Sequence, residues 1–323
     1  MQDKFGREIN YLRISVTDRC NLRCLYCMPE DGVPYKCHSE ILSYEEIMRL
    51  VEAGVGLGIQ RIRVTGGEPL VRAGLTDFIH QLKLKPGIKE VSLTTNATLL
   101  APKAWKLKAA GLDRVNISLD TLLPHKFKQI TRSDAWQAAV AGVKAALAAG
   151  LDPVKINTVA LKGINDDELA TIAALTLKYP LHVRFIEMMP LGADLGWAKQ
   201  HALPMAKIKA KVEEVGRIVP AAVKGAGPAR VFRYDKGLGT IGFIGALSHN
   251  FCHRCNRMRL TADGKLKPCL ASDLEVDVKG ALREGASREQ LQALFWQALV
   301  LKPSRHQLEQ YQEHTRIMNQ IGG

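Results

Sequence analysis

Three cysteines stand within eight residues near the beginning of the chain. Cys20, Cys24 and Cys27 are spaced C-x3-C-x2-C in the stretch DRCNLRCLYCMP. Three thiolates this close converge on one metal centre if the loop wraps around it. A four-iron cluster needs four ligands, which are usually cysteine thiolates, so this loop leaves one iron open to a non-protein ligand. That arrangement favours chemistry at the cluster over the storage of an electron.

The spacing resembles the signature of the radical SAM enzymes, and Tyr26 matches the aromatic residue of that pattern. In this superfamily the amino and carboxylate groups of S-adenosylmethionine chelate the open iron. The reduced cluster then splits the sulfonium to give a 5′-deoxyadenosyl radical. The resemblance therefore implies a [4Fe-4S] cluster on Cys20, Cys24 and Cys27, with S-adenosylmethionine bound to it.

A structural zinc site and a disulfide knot are alternative interpretations of the same cysteines. Structural zinc favours paired C-x2-C knuckles with a fourth protein ligand. The Cys20–Cys24 spacing is one residue wider than such a knuckle, and no fourth ligand stands nearby. Zinc is colourless whereas iron–sulfur clusters are brown, so metal analysis separates these interpretations.

A second group of three cysteines comes late in the chain: Cys252, Cys255 and Cys269, spaced C-x2-C-x13-C. With His249 or His253 as a fourth ligand, the group would make a Cys3His zinc site. This part of the chain would then be a nucleic-acid-binding module.

Two arginines favour a cluster over zinc at this second group. Arg257 and Arg259 stand two residues apart, so they share one face if the segment is extended. A structural zinc ion has no use for them, whereas an open iron that faces a polyphosphate ligand does. Arginine suits phosphate because its planar guanidinium makes paired, charge-assisted hydrogen bonds. A second cluster is therefore predicted here.

The composition is that of an ordinary globular protein with an excess of positive charge. The chain has 323 residues, 46% hydrophobic and 24% charged, with a net charge of +13. No signal peptide and no membrane-spanning run is recognisable. Six of the seven cysteines fall in the two groups, which favours metal in a reducing cytoplasm over a disulfide framework. The charge suggests an anionic partner. Nucleic acid and a nucleotide polyphosphate are both candidates, although basic runs are missing and aromatic residues are few for nucleic acid. Because the charge is spread out, a solvated basic surface is the commonest explanation, and the sign of the charge does not decide among these.

The first half of the chain alternates between strands and helices. Strands are predicted at 11–16, 61–65, 90–94, 114–119, 154–160 and 182–187. Helices are predicted at about 43–54, where Ser43 and Glu46 form a capping box, and at 75–84, 102–110, 134–149 after Ser133, and 166–179. Such alternation makes β-α-β units and a parallel sheet. The predicted fold is α/β, an incomplete (β/α)6 barrel that is open and TIM-like.

One face of nearly every predicted strand is polar, although strands of a parallel sheet are usually apolar on both faces. Arg13 alternates with Leu12 and Ile14, and the other strands repeat this pattern with the polar sets Arg61, Arg63 and Thr65; Ser92, Thr94 and Asn96; Asn116, Ser118 and Asp120; Lys155 and Asn157; and Arg184. Side chains alternate across a strand. The apolar face should therefore pack on helices, while the polar face lines a wide interior that holds a large anionic ligand.

The second strand runs into Gly66-Gly67-Glu68-Pro69. Adjacent glycines let a backbone approach a ligand closely, and this segment resembles the one that holds the methionyl amino group in radical SAM enzymes. Thr94, Ser118 and Met189 fall at or near the ends of later strands. The carboxyl ends of the strands are where barrel enzymes place their sites.

The strand–helix pattern changes after Pro190. One more helix is predicted at 203–215, a loop at 219–229, and short antiparallel strands at 231–234 and 240–244. We therefore divide the chain near residue 195. Residues 1–195 form the barrel with the first cluster, and 196–323 form an α+β extension with the second cluster and a Gly-Gly tail.

Taken together, the two cysteine groups resemble the molybdenum-cofactor biosynthesis protein A family, the GTP 3′,8-cyclases, over essentially the whole chain. The resemblance implies two [4Fe-4S] clusters, one on each group, and contacts to S-adenosylmethionine from Tyr26, Gly67, Ser118 and Met189. It implies contacts to GTP from Arg13, Arg63, Thr94, Lys155, Arg184, Arg257, Met258 and Arg259. Arg257 and Arg259 are also counted as catalytic, with Cys20, Cys24 and Cys27. The family ends in the same two glycines as Gly322-Gly323, and its tail reaches towards the site.

The resemblance also implies the reaction. The radical takes the 3′ hydrogen of GTP, the ribose radical attacks C8 of guanine, and one electron and a proton complete 3′,8-cyclo-7,8-dihydro-GTP. Cyclic pyranopterin monophosphate synthase consumes this product, an unidentified donor supplies electrons, and dimers occur in the family. No membrane or nucleic-acid partner is expected. A peptide-modifying radical SAM enzyme is the alternative. Such enzymes often have a peptide-binding N-terminal domain and more C-terminal cysteines, and the roughly ten residues before the first strand disfavour this interpretation.

Overall fold

Twelve strands form one sheet in the computed structural model, which describes residues 1–191, 194–223, 227–311 and 313–322. In chain order they are β1 (Tyr11–Ser15), β2 (Arg61–Thr65), β3 (Glu90–Thr95), β4 (Arg114–Ser118), β5 (Lys155–Ala160), β6 (His182–Glu187), β7 (Ile218–Pro220), β8 (Arg230–Tyr234), β9 (Thr240–Ile244), β10 (Arg257–Leu260), β11 (Lys265–Lys267) and β12 (Val276–Asp277). The six strands predicted for the barrel are confirmed to within one residue at each end.

The strands β1 to β6 are neighbours in chain order and run parallel. At one edge of this set β10 runs parallel to β1, and at the other edge β9 runs parallel to β6. The remaining strands continue both edges in antiparallel fashion. Since β12 and β7 end the sheet, the barrel is open. The predicted open α/β barrel with a C-terminal extension is confirmed, and strands of that extension lengthen the barrel at both edges.

The helices lie in chain order between and after these strands. They are α1 (Tyr44–Gly56), α2 (Leu75–Leu84), α3 (Ala104–Ala109), α4 (Pro124–Thr131), α5 (Trp136–Ala148), α6 (Leu169–Lys178), α7 (Leu195–Gln200), α8 (Met205–Glu213), α9 (Lys279–Arg283), α10 (Arg288–Val300) and α11 (Met318–Ile321). Within the described ranges, none of them combines the length and the apolar character that a membrane span needs.

The starts of α1 and α5 were both predicted from capping residues in the sequence, and the structure bears out the first of them. The capping box of α1 is confirmed, because Ser43 Oγ accepts from the Glu46 N–H at 3.1 Å and Glu46 Oε2 accepts from the Ser43 N–H at 2.7 Å. The predicted start of α5 at Ser133 is wrong. Its Oγ accepts from the Ala135 N–H at 3.3 Å, which makes a local turn, and the helix begins at Trp136.

The predicted loop at 219–229 contains the short strand β7 at its beginning, and residues 224–226 lie outside the described ranges. The helix α4 was not predicted. It begins with proline at its first position, a favourable place for that residue, and buries Phe127 and Ile130 against the rest of the fold.

The two faces of the barrel strands differ in polarity, as the alternating pattern predicts. Leu12, Ile14, Ile62, Val64 and Val183 are completely buried in the main hydrophobic core, where the helices cover the outer face of the sheet. Burial of such side chains stabilises the fold by about 1.5–3 kcal/mol each. The opposite face is thereby left free to present polar side chains to the interior of the barrel.

Candidate active site

A cavity of about 200 Å³ lies at the carboxyl ends of the parallel strands. It is lined by Arg13, Tyr26, Arg63, Thr94, Ser118, Asp120, Asn157, Val159, Arg184, Ile186, Met189, Gly227, Pro228, Ile244, Phe251, Arg257, Arg259, Leu270 and Met318. Nine of the predicted site residues are thus brought together from strands and loops that are far apart in sequence. A larger cavity, of about 580 Å³, lies beside Arg72 and Arg283 and contains none of the cysteines.

Three arginines stand side by side on neighbouring strands in this cavity. Arg13 on β1 is in register with Arg259 on β10 and with Arg63 on β2. Burial, and then the charge of Arg259 and Arg63, holds the pKa of Arg13 well below its usual range. Burial, and then Arg257, lowers the pKa of Arg259 to about 9. Such mutual repulsion is relieved when a polyanion binds among the guanidinium groups.

Several polar atoms in the cavity wall are buried and have no hydrogen-bond partner in the described part of the chain. They are the Nε atoms of Arg13, Arg63 and Arg184, Thr94 Oγ1 and Asn157 Oδ1. Buried polar groups are normally hydrogen-bonded, and each exception calls for an explanation. A polar ligand that enters the cavity would supply the missing partners, so the wall fits a highly hydroxylated and phosphorylated molecule.

Three predicted ligand contacts lie outside this cavity wall: Met258, Lys155 and Gly67. Met258 is fully buried in the core, since it alternates with Arg257 and Arg259 and points to the other face of β10. Lys155 is buried in register with Asn116 and His182, and burial followed by the charges of Arg114 and Arg184 lowers its pKa to about 6. The side chain of Met258 therefore cannot reach a ligand in the cavity.

The loop that carries the first three cysteines is held against the end of α4. The Arg23 N–H donates to Thr131 O and the Leu25 N–H to Ile130 O, both at 2.9 Å. Arg132 adds a bond from its guanidinium to Arg23 O at 2.9 Å. The helix α4, which was not predicted, thus fixes the position of the first cysteine loop.

The thiols of this loop are close enough to influence one another. All seven cysteines are free, so the disulfide alternative is not realised. Burial raises the pKa of Cys20 to about 11 and that of Cys27 to about 12, and burial with Cys27 beside it raises the pKa of Cys24 well above its usual value. Thiolates bind metal only after losing their protons. A positively charged iron centre would reverse these shifts, so the donor set fits a cluster.

Tyr26 connects this loop to the cavity. Its hydroxyl donates to Asp120 Oδ2 at 2.6 Å, and both residues line the cavity. Burial raises the pKa of Asp120 to about 6, although the bond from Tyr26 opposes the rise. Asp120 was predicted only as one of the polar interior residues, and its partnership with Tyr26 could not be read from the sequence.

Gly67 lies against the backbone of the first cysteine loop rather than in the cavity wall. A Cβ at this position would be 2.3 Å from Arg19 O and 2.9 Å from Asp18 O. The Gly67 N–H also donates to Thr17 O at 2.7 Å. The glycine therefore permits β2 and the cysteine loop to approach each other.

Gly67→Ala is expected to push the cysteine loop away from β2, because backbone atoms cannot yield as side chains do. Overpacking of this kind costs about 1–3 kcal/mol, and it should lower both the iron content at the first cysteines and the formation of 5′-deoxyadenosine. Gly280→Ala is the control, because nothing lies within 4 Å of its added Cβ. Equal iron in the two variants would show that the close approach has no effect on the loop.

The second group of cysteines lines a small cavity of about 70 Å³ with Arg257, Arg259 and Met189. Arg257, Arg259 and Met189 also line the interior cavity of about 200 Å³, so these two cavities share a wall. Burial raises the pKa of Cys252. The pKa of Cys255 is lowered to about 6, because Arg257 and Lys302 outweigh the effect of burial. The structure thus brings all three sulfurs to one place beside the arginines.

The histidines proposed as a fourth zinc ligand are not part of this cavity. His249 and His253 line a different one, together with Lys209 and Arg230. Among the described residues, no group of three or more His, Cys, Asp or Glu side chains is arranged to hold a single metal ion. A four-iron cluster does not require such closeness, since each thiolate binds a different iron atom.

Arg7 holds the second cysteine loop from the N-terminal side. Its guanidinium donates to Cys252 O at 3.0 Å, to Pro303 O at 2.8 Å and to Ser304 O at 3.2 Å. It also pairs with the buried carboxylate of Asp3 at 2.6 Å. The sequence gives no sign of this role, because Arg7 is 245 residues from Cys252 along the chain.

Arg7→Met is expected to cost the protein half of its cluster iron, that of the second site. The change frees the Cys252 loop and leaves Asp3 buried without its partner, which destabilises a protein by about 3–5 kcal/mol. Iron analysis and denaturant unfolding measure the two effects. Lys4→Met is the matched control, because Lys4 is exposed. Full iron content in Arg7→Met would contradict the assigned role.

The C-terminal segment enters the barrel beside the arginines. Arg259 donates to Gly322 O, and Asn319 Nδ2 donates to Asp18 O at 3.2 Å. A Cβ on Gly322, which has φ +79°, would lie 2.9 Å from Thr65 and 3.0 Å from Ser15. The narrow space and the positive φ both favour glycine. Gly323, the other half of the predicted tail motif, lies outside the described residues.

The chain is similar to known proteins over its whole length. Residues 14–176 match the radical SAM superfamily, and residues 181–308 match the family Molybdenum Cofactor Synthesis C. The GTP 3′,8-cyclase of Pelotomaculum thermopropionicum is 50% identical over 325 residues, and that of Moorella thermoacetica is 50% identical over 324. Each alignment covers 100% of both chains.

Solved structures support the fold. SuiB of Streptococcus suis bound to S-adenosylmethionine superposes with a TM-score of 0.60 at 15% identity, covering 88% of this chain and 67% of SuiB. Native anSMEcpe with bound AdoMet gives a TM-score of 0.57 at 14% identity, covering 92% of this chain and 82% of that one. The full-length relatives decide the narrower grouping: this chain belongs to the radical SAM superfamily and, within it, to the GTP 3′,8-cyclase family.

Proposed function

We propose that the protein converts GTP into (8S)-3′,8-cyclo-7,8-dihydroguanosine 5′-triphosphate, the first step of molybdenum cofactor biosynthesis. One observation carries this proposal. A single cavity joins Tyr26 of the first cysteine loop to the arginines beside the second cysteine group. Buried guanidinium groups stand between the two, where a nucleotide triphosphate would supply the compensating negative charge.

The two cysteine groups would hold two [4Fe-4S] clusters. We assign the first to Cys20, Cys24 and Cys27, and the second to Cys252, Cys255 and Cys269. When reduced and loaded with S-adenosylmethionine, the first cluster supplies a 5′-deoxyadenosyl radical. Tyr26, Ser118 and Met189 would contact S-adenosylmethionine from the cavity wall, and Gly67 would contribute through its backbone beside the loop.

The remaining wall residues would bind and orient GTP. Arg13, Arg63 and Arg259 would hold the triphosphate, because their side chains share one register across three strands. Thr94 and Arg184 offer polar atoms that have no partner in the described structure. Arg257 would hold the base near the second cysteine group, whose cavity it also lines. A contact from Met258 would have to come from its backbone.

The protein's own part in the reaction is to bring the ribose close to the source of the radical and to keep water away. Effective positioning of reactants lowers a barrier by about 7–11 kcal/mol. Leu270, Phe251 and Met318 close the cavity with apolar surface. Arg257 and Arg259 would act in catalysis by holding the base and the triphosphate, respectively, so that the guanine C8 stays turned towards the ribose.

The other partners belong to the same proposal. The reaction needs an electron donor of unknown identity, and its product would pass to cyclic pyranopterin monophosphate synthase. The free thiols suit a reducing cytoplasm. A homodimer, as in other members of the family, is proposed on resemblance alone.

The test is an anaerobic assay with iron and sulfide restored, a reductant, S-adenosylmethionine and GTP. Mass spectrometry should find 5′-deoxyadenosine together with a GTP isomer of unchanged mass. Deoxyadenosine without any change in GTP would leave a radical SAM enzyme with another substrate, such as a peptide. Zinc in place of iron, with neither product, would favour the binding-module alternative and overturn the proposal.

A further inference from the structure

His306 lies in the wall of the small cavity that Cys252, Cys255 and Cys269 line. Its side chain is only 7% exposed. Its Nε2 atom is buried and has no hydrogen-bond partner among the residues that the structure describes. A buried imidazole nitrogen without a partner is costly unless a group that enters the cavity completes it.

The contacts of the other ring nitrogen decide which atom carries the proton. Nδ1 lies 3.4 Å from the N–H of Leu308, which can only donate. It also lies 3.4 Å from Glu309 Oε2, but that carboxylate is 42% exposed, and water screens its attraction. The fixed backbone N–H needs an acceptor, so Nδ1 accepts and Nε2 carries the hydrogen. In the charged form of the ring, Nε2 carries a hydrogen as well.

The position of His306 relative to the cysteines is fixed by its neighbours. Its backbone N–H is near enough to the sulfur of Cys252 to oppose the rise that burial causes in the pKa of that thiol. Lys302 donates to Arg257 O at 2.8 Å and to Pro268 O at 2.6 Å, which ties this segment to both sides of the cysteine group. Arg7 bonds the intervening carbonyls of Pro303 and Ser304.

We propose that His306 is a positioning residue for the second cluster, whose sulfur accepts a hydrogen bond from its Nε2–H. This inference rests on the proposed placement of that cluster at Cys252, Cys255 and Cys269. A nitrogen that carries hydrogen does not ligate iron, so His306 leaves the open iron free for the substrate. Hydrogen bonds to cluster sulfur stabilise the more negative, reduced state and raise the reduction potential.

The test compares His306→Leu, which removes the donor, with His306→Gln, which keeps an N–H at a similar reach. His253→Leu is the matched control, because His253 is exposed on the same cysteine loop. Full-length protein with Cys20, Cys24 and Cys27 replaced by serine isolates the second cluster for a redox titration followed by electron paramagnetic resonance. A second measurement uses wild-type holoenzyme with ¹⁵N-labelled histidine and without GTP. It gives the hyperfine coupling between the electron spin of the reduced cluster and the histidine nitrogen.

At a fixed potential, His306→Leu should lower the ratio of reduced to oxidised cluster by roughly three- to tenfold, the net effect of one typical hydrogen bond. His306→Gln should restore most of the ratio, and His253→Leu should not change it. The labelled holoenzyme should show a weak ¹⁵N coupling that His306→Leu removes. An unchanged ratio together with no ¹⁵N coupling would refute the inference, and a strong coupling would show a ligand instead of a donor.

Iron content separates this result from the placement of the cluster itself. If Cys252→Ser keeps all of the protein's iron, the second site is misplaced and the proposed function fails with it. If the iron is bound at these cysteines but His306 has no effect on potential or coupling, only the inference about His306 fails. Should His306→Leu not retain its cluster, the coupling in the labelled wild-type protein decides.

Discussion

Cys252→Ser is expected to abolish the formation of cyclised GTP while the protein still cleaves S-adenosylmethionine slowly. Cys24→Ser is expected to abolish both activities. The difference follows from the geometry, because Cys252 lines the small cavity beside the arginines, whereas Cys24 lies in the loop that carries Tyr26. Loss of one thiolate removes a ligand from only one of the two clusters.

Cys37→Ser is the matched control for both variants. Cys37 is an exposed free thiol, and its sulfur contacts the nearby side chains of Ser39 and Glu40. It should retain full iron and full turnover. Deoxyadenosine and the GTP isomer, quantified together by mass spectrometry, measure both reactions in one experiment. Cyclised GTP from Cys252→Ser at the wild-type rate would contradict the assignment of the second cluster to substrate binding.

Arg13→Met is expected to lower kcat/KM for GTP roughly a hundredfold, which corresponds to the loss of one or two charge-assisted hydrogen bonds. The same change should raise the melting temperature of the protein without nucleotide. Arg13 lies between Arg63 and Arg259 with its Nε buried, and desolvation followed by the repulsion from these two charges holds its pKa well below its usual range. A neutral side chain relieves that repulsion. A gain of about 1 kcal/mol raises the melting temperature by about 2–4 °C.

Arg114→Met gives the opposite result and is the matched comparison. Arg114 is also buried on a barrel strand, but it pairs with Glu90 at 2.6 Å. Its removal leaves a carboxylate without its partner and should destabilise the protein by about 3 kcal/mol. Inorganic tripolyphosphate should raise the melting temperature of the wild type and of Arg114→Met. The increase should be much smaller for Arg13→Met. Equal destabilisation by both substitutions would show that repulsion from Arg63 and Arg259 does not destabilise the protein at Arg13.

The sequence by itself determined much of the site, because cysteine spacing and the alternation of residue types are properties of short segments of the chain. The two cysteine spacings predicted the metal centres. The alternation of strands and helices predicted the barrel, and the polar parity of those strands predicted that Arg13, Arg63 and Arg184 face a common interior. Periods of two and of 3.6 residues are local properties of the chain, so they can be read without knowing which strands are neighbours.

Only the tertiary structure decided which of these local elements meet. The pairing of β10 with β1 puts Arg259 beside Arg13 across 246 residues, and no local pattern encodes a neighbour at that distance. The same pairing turns Met258 into the core. Arg7 and His306 reach the second cysteine group from opposite ends of the chain, and α4 supports the first. Their positions come from long-range packing, in which the free energy of burial chooses among many arrangements that the local pattern permits.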